Sequence, residues 1–174
     1  MDYPMKADLQ VENKFPDFEL PDHNGEKQKL SSLLKGMPGI LIFSRGYFCP
    51  KDRRQMTNYA AYLQPELRVD YCHIITVSVD DPFTSREVRN ALDAEWTFLC
   101  DNDKKLLHEL EMVDRTDKRH GEIYIPYTFV LDKDRTIYKI YNGWWYLGRP
   151  TVEEIRMDLR VLISKRPDWV YSEK

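Results

Sequence analysis

Cysteine is scarce in this chain. Cys49, Cys72 and Cys100 are the only three among 174 residues, and an odd number at wide spacing argues against a disulfide framework. None of them stands at metal-ligand spacing from a histidine, and His23, His73, His108 and His120 are scattered, so no metal site is expected. Neither sign of charge is in excess. The 26 Lys and Arg against 29 Asp and Glu leave a formal charge of −3, which gives nucleic acid or an anionic membrane nothing to bind. No apolar run approaches the length of a spanning helix. The start, Met1-Asp2-Tyr3-Pro4-Met5-Lys6, lacks the apolar core of a signal peptide, so the expected place is the cytoplasm. No internal repeat and no low-complexity segment interrupts the chain.

What is present is the composition of a soluble globular protein, 42% hydrophobic and 32% charged, and a length that fits one domain with a real core. Residues 1–14 are polar and expected as a loose N-terminal arm, 15–166 as the domain and 167–174 as a C-terminal tail. The run from Gly39 to Ser44 reads as a buried strand. Met56, Tyr59, Ala60 and Leu63 then fall on one helix face, and Pro65 is expected to stop that helix. Cys72 to Val79 is a second central strand rich in β-branched residues. Thr84-Ser85-Arg86-Glu87 has the form of a capping box opening a helix with Val88, Ala91 and Leu92 inside. Trp96 to Leu99 is a third strand, Asp103 to Met112 a third helix, and Asp114 to Glu122 a charged loop. Tyr127–Leu131 and Thr136–Tyr141 flank a turn and make a hairpin. A second capping box, Thr151-Val152-Glu153-Glu154, opens a last helix with Ile155, Leu159 and Leu162 inside. Alternating strands and helices, closed by a hairpin, predict an α/β fold: a central mixed sheet with helices on both faces.

Cys49 is the residue with chemistry. The buried strand and the turn Arg45-Gly46-Tyr47-Phe48 deliver it to the start of a helix, with Pro50 suited to the first helical position. A thiol there faces unpaired backbone N–H groups and the positive end of the helix dipole, which favour thiolate. Arg45, Lys51, Arg53 and Arg54 add positive charge nearby, and Asp52 opposes them. Among the arginines, Arg53 is expected to point inward, one helical turn from Cys49. Two readings of Asp52 stand side by side: a proton shuttle beside the thiol, or a first-turn acid complementing the dipole. Cys72 is expected to be inert in the core. Trp144-Trp145-Tyr146 suits a pocket cover, a subunit interface in a homodimer, or packing against the last helix.

Over about residues 12–165 the chain resembles the peroxiredoxin-like branch of the thioredoxin fold, the redoxin or alkyl hydroperoxide reductase/thiol-specific antioxidant family. Phe15-Pro16-Asp17-Phe18-Glu19-Leu20-Pro21-Asp22 resembles its first strand, and Arg45-Gly46-Tyr47-Phe48-Cys49-Pro50 its active-site turn. Ile125 to Asp132 is similar to the thioredoxin segment whose cis-proline faces the active cysteine. Gly148-Arg149-Pro150-Thr151-Val152-Glu153-Glu154 resembles the lead-in to its final helix. There are departures. Asp52 stands where some members carry a second cysteine, Gly46 where typical members hold threonine, and Pro126 where they present an arginine.

The resemblance implies a thiol-dependent antioxidant oxidoreductase. Cys49 would reduce a peroxide with Asp52, Arg45 and Arg53 as its catalytic company, and Phe48, Pro50 and Pro126 would form the substrate-binding surface. An external thiol such as thioredoxin or glutathione would regenerate the cysteine, without metal or organic cofactor. Cys100, expected at a strand end, is the candidate resolving thiol. Two rival readings are thiol–disulfide exchange through mixed disulfides with a small disulfide or protein, and a non-catalytic binding domain that kept only the fold.

Overall fold

The structure, a computed structural model, describes residues 4–69, 71–144 and 148–165. After the first described residues the chain makes a small hairpin, β1 (Glu19–Pro21) and β2 (Lys27–Lys29). Asp22 caps its turn by accepting from the backbone N–H groups of Asn24 and Glu26. A short helix α1 (Leu30–Leu34) leads into β3 (Gly39–Phe43), then α2 (Pro50–Tyr62), α3 (Gln64–Arg68) and β4 (His73–Ser78). There follow α4 (Pro82–Ala91), β5 (Thr97–Cys100), α5 (Lys105–Glu109), β6 (Val113–Asp114), β7 (Ile123–Tyr124), β8 (Tyr127–Leu131), β9 (Ile137–Asn142) and α6 (Val152–Ser164).

The central sheet has five strands in the order β5-β4-β3-β8-β9. β3, β4 and β5 run parallel, while β8 is antiparallel to both β3 and β9. The sheet is therefore mixed, as the terminal hairpin predicts. Successive residues of β3 point to opposite faces. Ile40 and Ile42 face a layer made by Met56 and Tyr59 of α2 and by Ile155, Leu159 and Leu162 of α6, with Val88 of α4 and Leu92 just beyond it packed against it. Leu41 and Phe43 face the other layer, built on Leu30 and Leu34 of α1, Leu106 and Leu107 of α5, and Phe15. Both faces of the central strands are covered, which is why they read as unbroken apolar runs.

Several expectations give way to local chemistry. The arm before residue 15 is docked along its described part. Leu9 is buried in the core, Lys6 N–H donates to the Leu110 carbonyl, and Glu12 N–H donates to that of Ile137. The helix expected to open at a capping box on Thr84 begins earlier, because Asp81 caps it by accepting from the Thr84 N–H, and Pro82 takes the first helical position. Ala91 of that helix is exposed rather than inside. The helix expected over 103–112 shortens to α5, since Lys104 adopts the left-handed conformation at φ +61° and Asp101 accepts from the Leu106 and Leu107 N–H groups. Pro65 lies in the first turn of α3, so α2 ends at Tyr62 and a second short helix follows. The capping box at Thr151 is present as expected, its hydroxyl accepting from the Glu154 N–H. The tail 167–174 lies outside the described residues.

Candidate active site

The carboxyl end of β3 lies beside β4, which runs with it, and β8, which runs against it, so the turn after β3 opens at a break in the sheet's direction. Arg45 to Phe48 occupy that turn. Gly46 sits at φ +127°, and a Cβ there would come within 3.2 Å of both Asp80 Oδ1 and Phe48 Cε1. A threonine here would be strained at this φ and crowded by both side chains. Cys49 is the N-cap of α2, and Pro50 begins the helix as expected but is exposed.

The thiol is buried, 2% exposed. Two charged residues from distant parts of the chain, Asp52 and Arg149, stand beside it. Asp52, one turn into α2, accepts through Oδ2 from the Arg45 N–H at 2.8 Å and from the Ser44 hydroxyl at 3.3 Å. Its Oδ1 accepts from both Nε and Nη2 of Arg149, at 2.8 and 2.7 Å. The same Nη2 stands 3.7 Å from Cys49 Sγ. Arg149 is held in turn by Nη1, which donates to the Gly143 carbonyl. A Cβ on Gly143 would meet the Pro126 carbonyl oxygen at 2.6 Å and Arg149 Cδ at 3.1 Å, so only glycine admits this approach. Tyr59 of α2 donates its hydroxyl to the Pro150 carbonyl at 2.9 Å, tying the segment that carries Arg149 to the helix that carries Cys49.

The electrostatics differ from the expected thiolate. Burial pushes the Cys49 thiol up from its ordinary value, and the neighbouring Asp52 charge pushes the same way. The Asp52 N–H at the helix start and the Arg149 guanidinium pull it down without reversing the direction. The helix start supplies a donor to the sulfur, as expected, but desolvation outweighs it.

The other expected residues distribute unevenly. Arg53, expected inward, is exposed, and Arg149 takes the place beside the sulfur. Arg45 turns to the charged loop, where Nη2 meets Asp117 at 3.0 Å and Asp114 at 3.4 Å. Phe48 stacks on His120 with ring centroids 3.4 Å apart. Pro126 is buried beside the site behind a trans peptide bond, since no described peptide bond is cis. Together with Arg45 and Arg149 it lines a cavity of about 120 Å³. Asp114, expected in the exposed loop, is buried at the end of β6. Cys100 is buried and donates to the Ser85 hydroxyl at 3.3 Å, and burial pushes its thiol up to about 11. Cys72 is buried as expected, with its thiol pushed up to about 12. Trp144 packs against the core, whereas Trp145 and Tyr146 of the aromatic cluster lie outside the described residues.

Sequence reasoning missed Arg149 as a functional group, although it stands in the segment likened to the lead-in of a final helix. The available signal was its position: a lone arginine between β9 and a capping box, where the chain returns to the end of β3.

This arrangement defines a class, the thioredoxin-like domains with a cysteine at a helix start and an arginine beside it. Residues 11–140 match the AhpC/TSA family, and the chain belongs to that family. It is an enzyme of the peroxiredoxin-type thiol oxidoreductases. Among solved structures it is similar to the peroxidoxin BcpB of Mycobacterium tuberculosis, at TM-score 0.73 and 18% identity over 91% of this chain and 99% of that one. It is similar to reduced Prx3 of Vibrio vulnificus in complex with H2O2, at TM-score 0.73 and 21% identity over 87% and 99%. A peroxiredoxin-like protein of Aquifex aeolicus aligns at TM-score 0.76 and 12% identity over 91% of each chain. At these identities the likeness is one of fold. No curated protein sequence matches the chain.

Proposed function

We propose that the protein reduces small peroxides through a one-cysteine cycle at Cys49, regenerated by an external thiol. The observation that carries this reading is the contact of one guanidinium, Arg149, with both the Cys49 sulfur and the Asp52 carboxylate. The Cys49 sulfur attacks one peroxide oxygen, the O–O bond breaks, and the thiol's own proton leaves with the departing oxygen as water or alcohol. Cys49 becomes a sulfenic acid. Arg149 faces the reacting atoms and stabilises charge as the thiolate forms and the leaving oxygen departs. Asp52 fixes the guanidinium. A thiol of the thioredoxin or glutathione kind then displaces water to form a mixed disulfide, and a second thiol releases Cys49.

Cys100 has no part in this cycle. Two strand spacings alone set β5 about 10 Å from β3 in the order of the sheet, and its thiol is committed to Ser85. Three free cysteines fit a reducing compartment such as the cytoplasm. The rival, thiol–disulfide exchange with a protein or a small disulfide, shares with this cycle a mixed-disulfide step at a thiol that is 2% exposed and differs in needing no peroxide.

Reduced protein mixed with hydrogen peroxide should gain one oxygen atom at Cys49 by mass, in Cys100→Ser as in the natural chain. It should gain none in Cys49→Ser. A natural chain inert to peroxide yet fast on a small disulfide would transfer the assignment to exchange.

A further inference from the structure

The turn before Cys49 is tied to the charged loop by a closed ring of contacts. Phe48 lies flat on His120, 3.4 Å between centroids and 3° between planes. His120 Nδ1 meets Asp117 Oδ2 at 2.9 Å. Asp117 Oδ2 accepts from Arg45 Nη2 at 3.0 Å, and the Arg45 guanidinium closes the ring 5.9 Å from the Phe48 centroid. Two residues of the active-site turn and two of the loop thus fix one another. The neighbouring cavity, about 120 Å³, has Arg45, Pro126 and Arg149 in its lining but neither Cys49 nor Phe48, and it adjoins the thiol through Arg149. It holds a few molecules the size of water and falls short of the several hundred Å³ that larger ligands occupy. Arg45 borders it, and its Nε is buried with no acceptor.

Building on the peroxidase reading, we propose that His120, with Asp117, is a positioning residue that fixes Arg45 as a wall of that cavity and holds Phe48, the residue before Cys49, against it. That wall restricts the oxidant to hydrogen peroxide and compact hydroperoxides. His120 touches no reacting atom. It acts through the ring it stacks on and the carboxylate it shares with Arg45.

The test compares Cys49 sulfenic acid formation by hydrogen peroxide with that by cumene hydroperoxide, a bulky neutral oxidant. The natural chain should prefer the small oxidant by at least about tenfold. His120→Ala should narrow that ratio by about tenfold through loss of the stack and of the contact with Asp117. His120→Phe keeps a ring over Phe48 and should retain most of the preference, a rescue that general destabilisation would not produce. Asp117→Asn should fall between, and it decides the matter if His120→Ala does not fold. A natural chain that uses both oxidants equally, or a ratio unmoved in His120→Ala, overturns the proposal. Alkylation of Cys49 by iodoacetamide and by N-(1-pyrenyl)maleimide separates this failure from failure of the peroxidase reading. If peroxide leaves Cys49 unchanged but His120→Ala selectively speeds the bulky maleimide, the wall stands and the peroxidase falls. If peroxide oxidises Cys49 and neither ratio moves, the wall alone is refuted.

Discussion

Arg149 and Asp52, 97 positions apart in the chain, form a buried ion pair in which Nε and Nη2 converge on a single carboxylate oxygen. Because that oxygen holds the guanidinium against the Cys49 sulfur, Asp52 acts on the thiol in two opposed ways. Its charge pushes the thiol up, and its grip on Arg149 keeps a cation in place. Asp52→Asn removes the charge and leaves an amide oxygen to accept from Arg149. The iodoacetamide profile of Cys49 should move to lower pH, and alkylation at neutral pH should rise by about tenfold if the shift is about one unit. A move to higher pH would show that Asp52 serves the thiolate more as a clamp than it opposes it as a charge.

Removing the other partner leaves a different defect. Arg149→Met strands the Asp52 carboxylate, 1% exposed at its side chain, with only the Arg45 N–H and the Ser44 hydroxyl as donors. Breaking a buried pair from one side costs about 3–5 kcal/mol, readable in urea unfolding, and the Cys49 profile should move to higher pH. The double variant Asp52→Asn, Arg149→Met should recover much of the stability, because no unpaired charge remains. Equal stability of the natural chain and Arg149→Met would mean that the pair opens to water in solution.

The three buried thiols set an alkaline limit. Each is pushed up on folding, Cys100 to about 11 and Cys72 to about 12. Above the ordinary thiol value the unfolded chain releases protons that the folded chain keeps, so stability falls as pH rises. The contribution is complete below that value, and for Cys100 it is lost progressively from about 9 to about 11, at about 1.4 kcal/mol per pH unit per thiol. Cys100→Ala should flatten the decline of the urea midpoint across this window, measured against the same variant at pH 7. An unchanged slope would mean that this thiol ionises equally in both states.

What was legible in the sequence were the features that local pattern controls. The apolar run of β3, the helix start at Cys49 and the capping box at Thr151 each follow from a few adjacent residues. The mixed sheet followed from the alternation of elements, and both layers of the core from their periodicity. What escaped depends on contacts between distant residues. Leu9 reads as one apolar residue in a polar arm, and its burial needs the finished sheet to dock on. Arg53 sits close to Cys49 in sequence and points to solvent, whereas Arg149 arrives through the β8–β9 hairpin. His120 reads as part of a charged loop, and its place follows only when that loop folds back on Phe48. The sign of the Cys49 shift depended on burial, which the motif alone does not specify.

Tyr59 tests whether the route by which Arg149 arrives matters to chemistry. Its hydroxyl accepts from Gln55 Nε2 at 3.2 Å and donates to the Pro150 carbonyl at 2.9 Å, one residue beyond Arg149. Tyr59→Phe deletes that hydroxyl and keeps the ring that fills the core under α2. Loss of a buried hydrogen bond of this kind costs about 1 kcal/mol, a modest fall in the urea midpoint. If the bond also seats Arg149, oxidation of Cys49 by hydrogen peroxide should slow several-fold, and the alkylation profile should drift to higher pH as the guanidinium loosens. Asn and Gln at position 55 provide the control, since Gln55→Asn disturbs the same network from the side away from Pro150 and should change stability more than rate. A Tyr59→Phe enzyme that loses stability but keeps both its rate and its profile would place the seating of Arg149 entirely in Asp52 and Gly143.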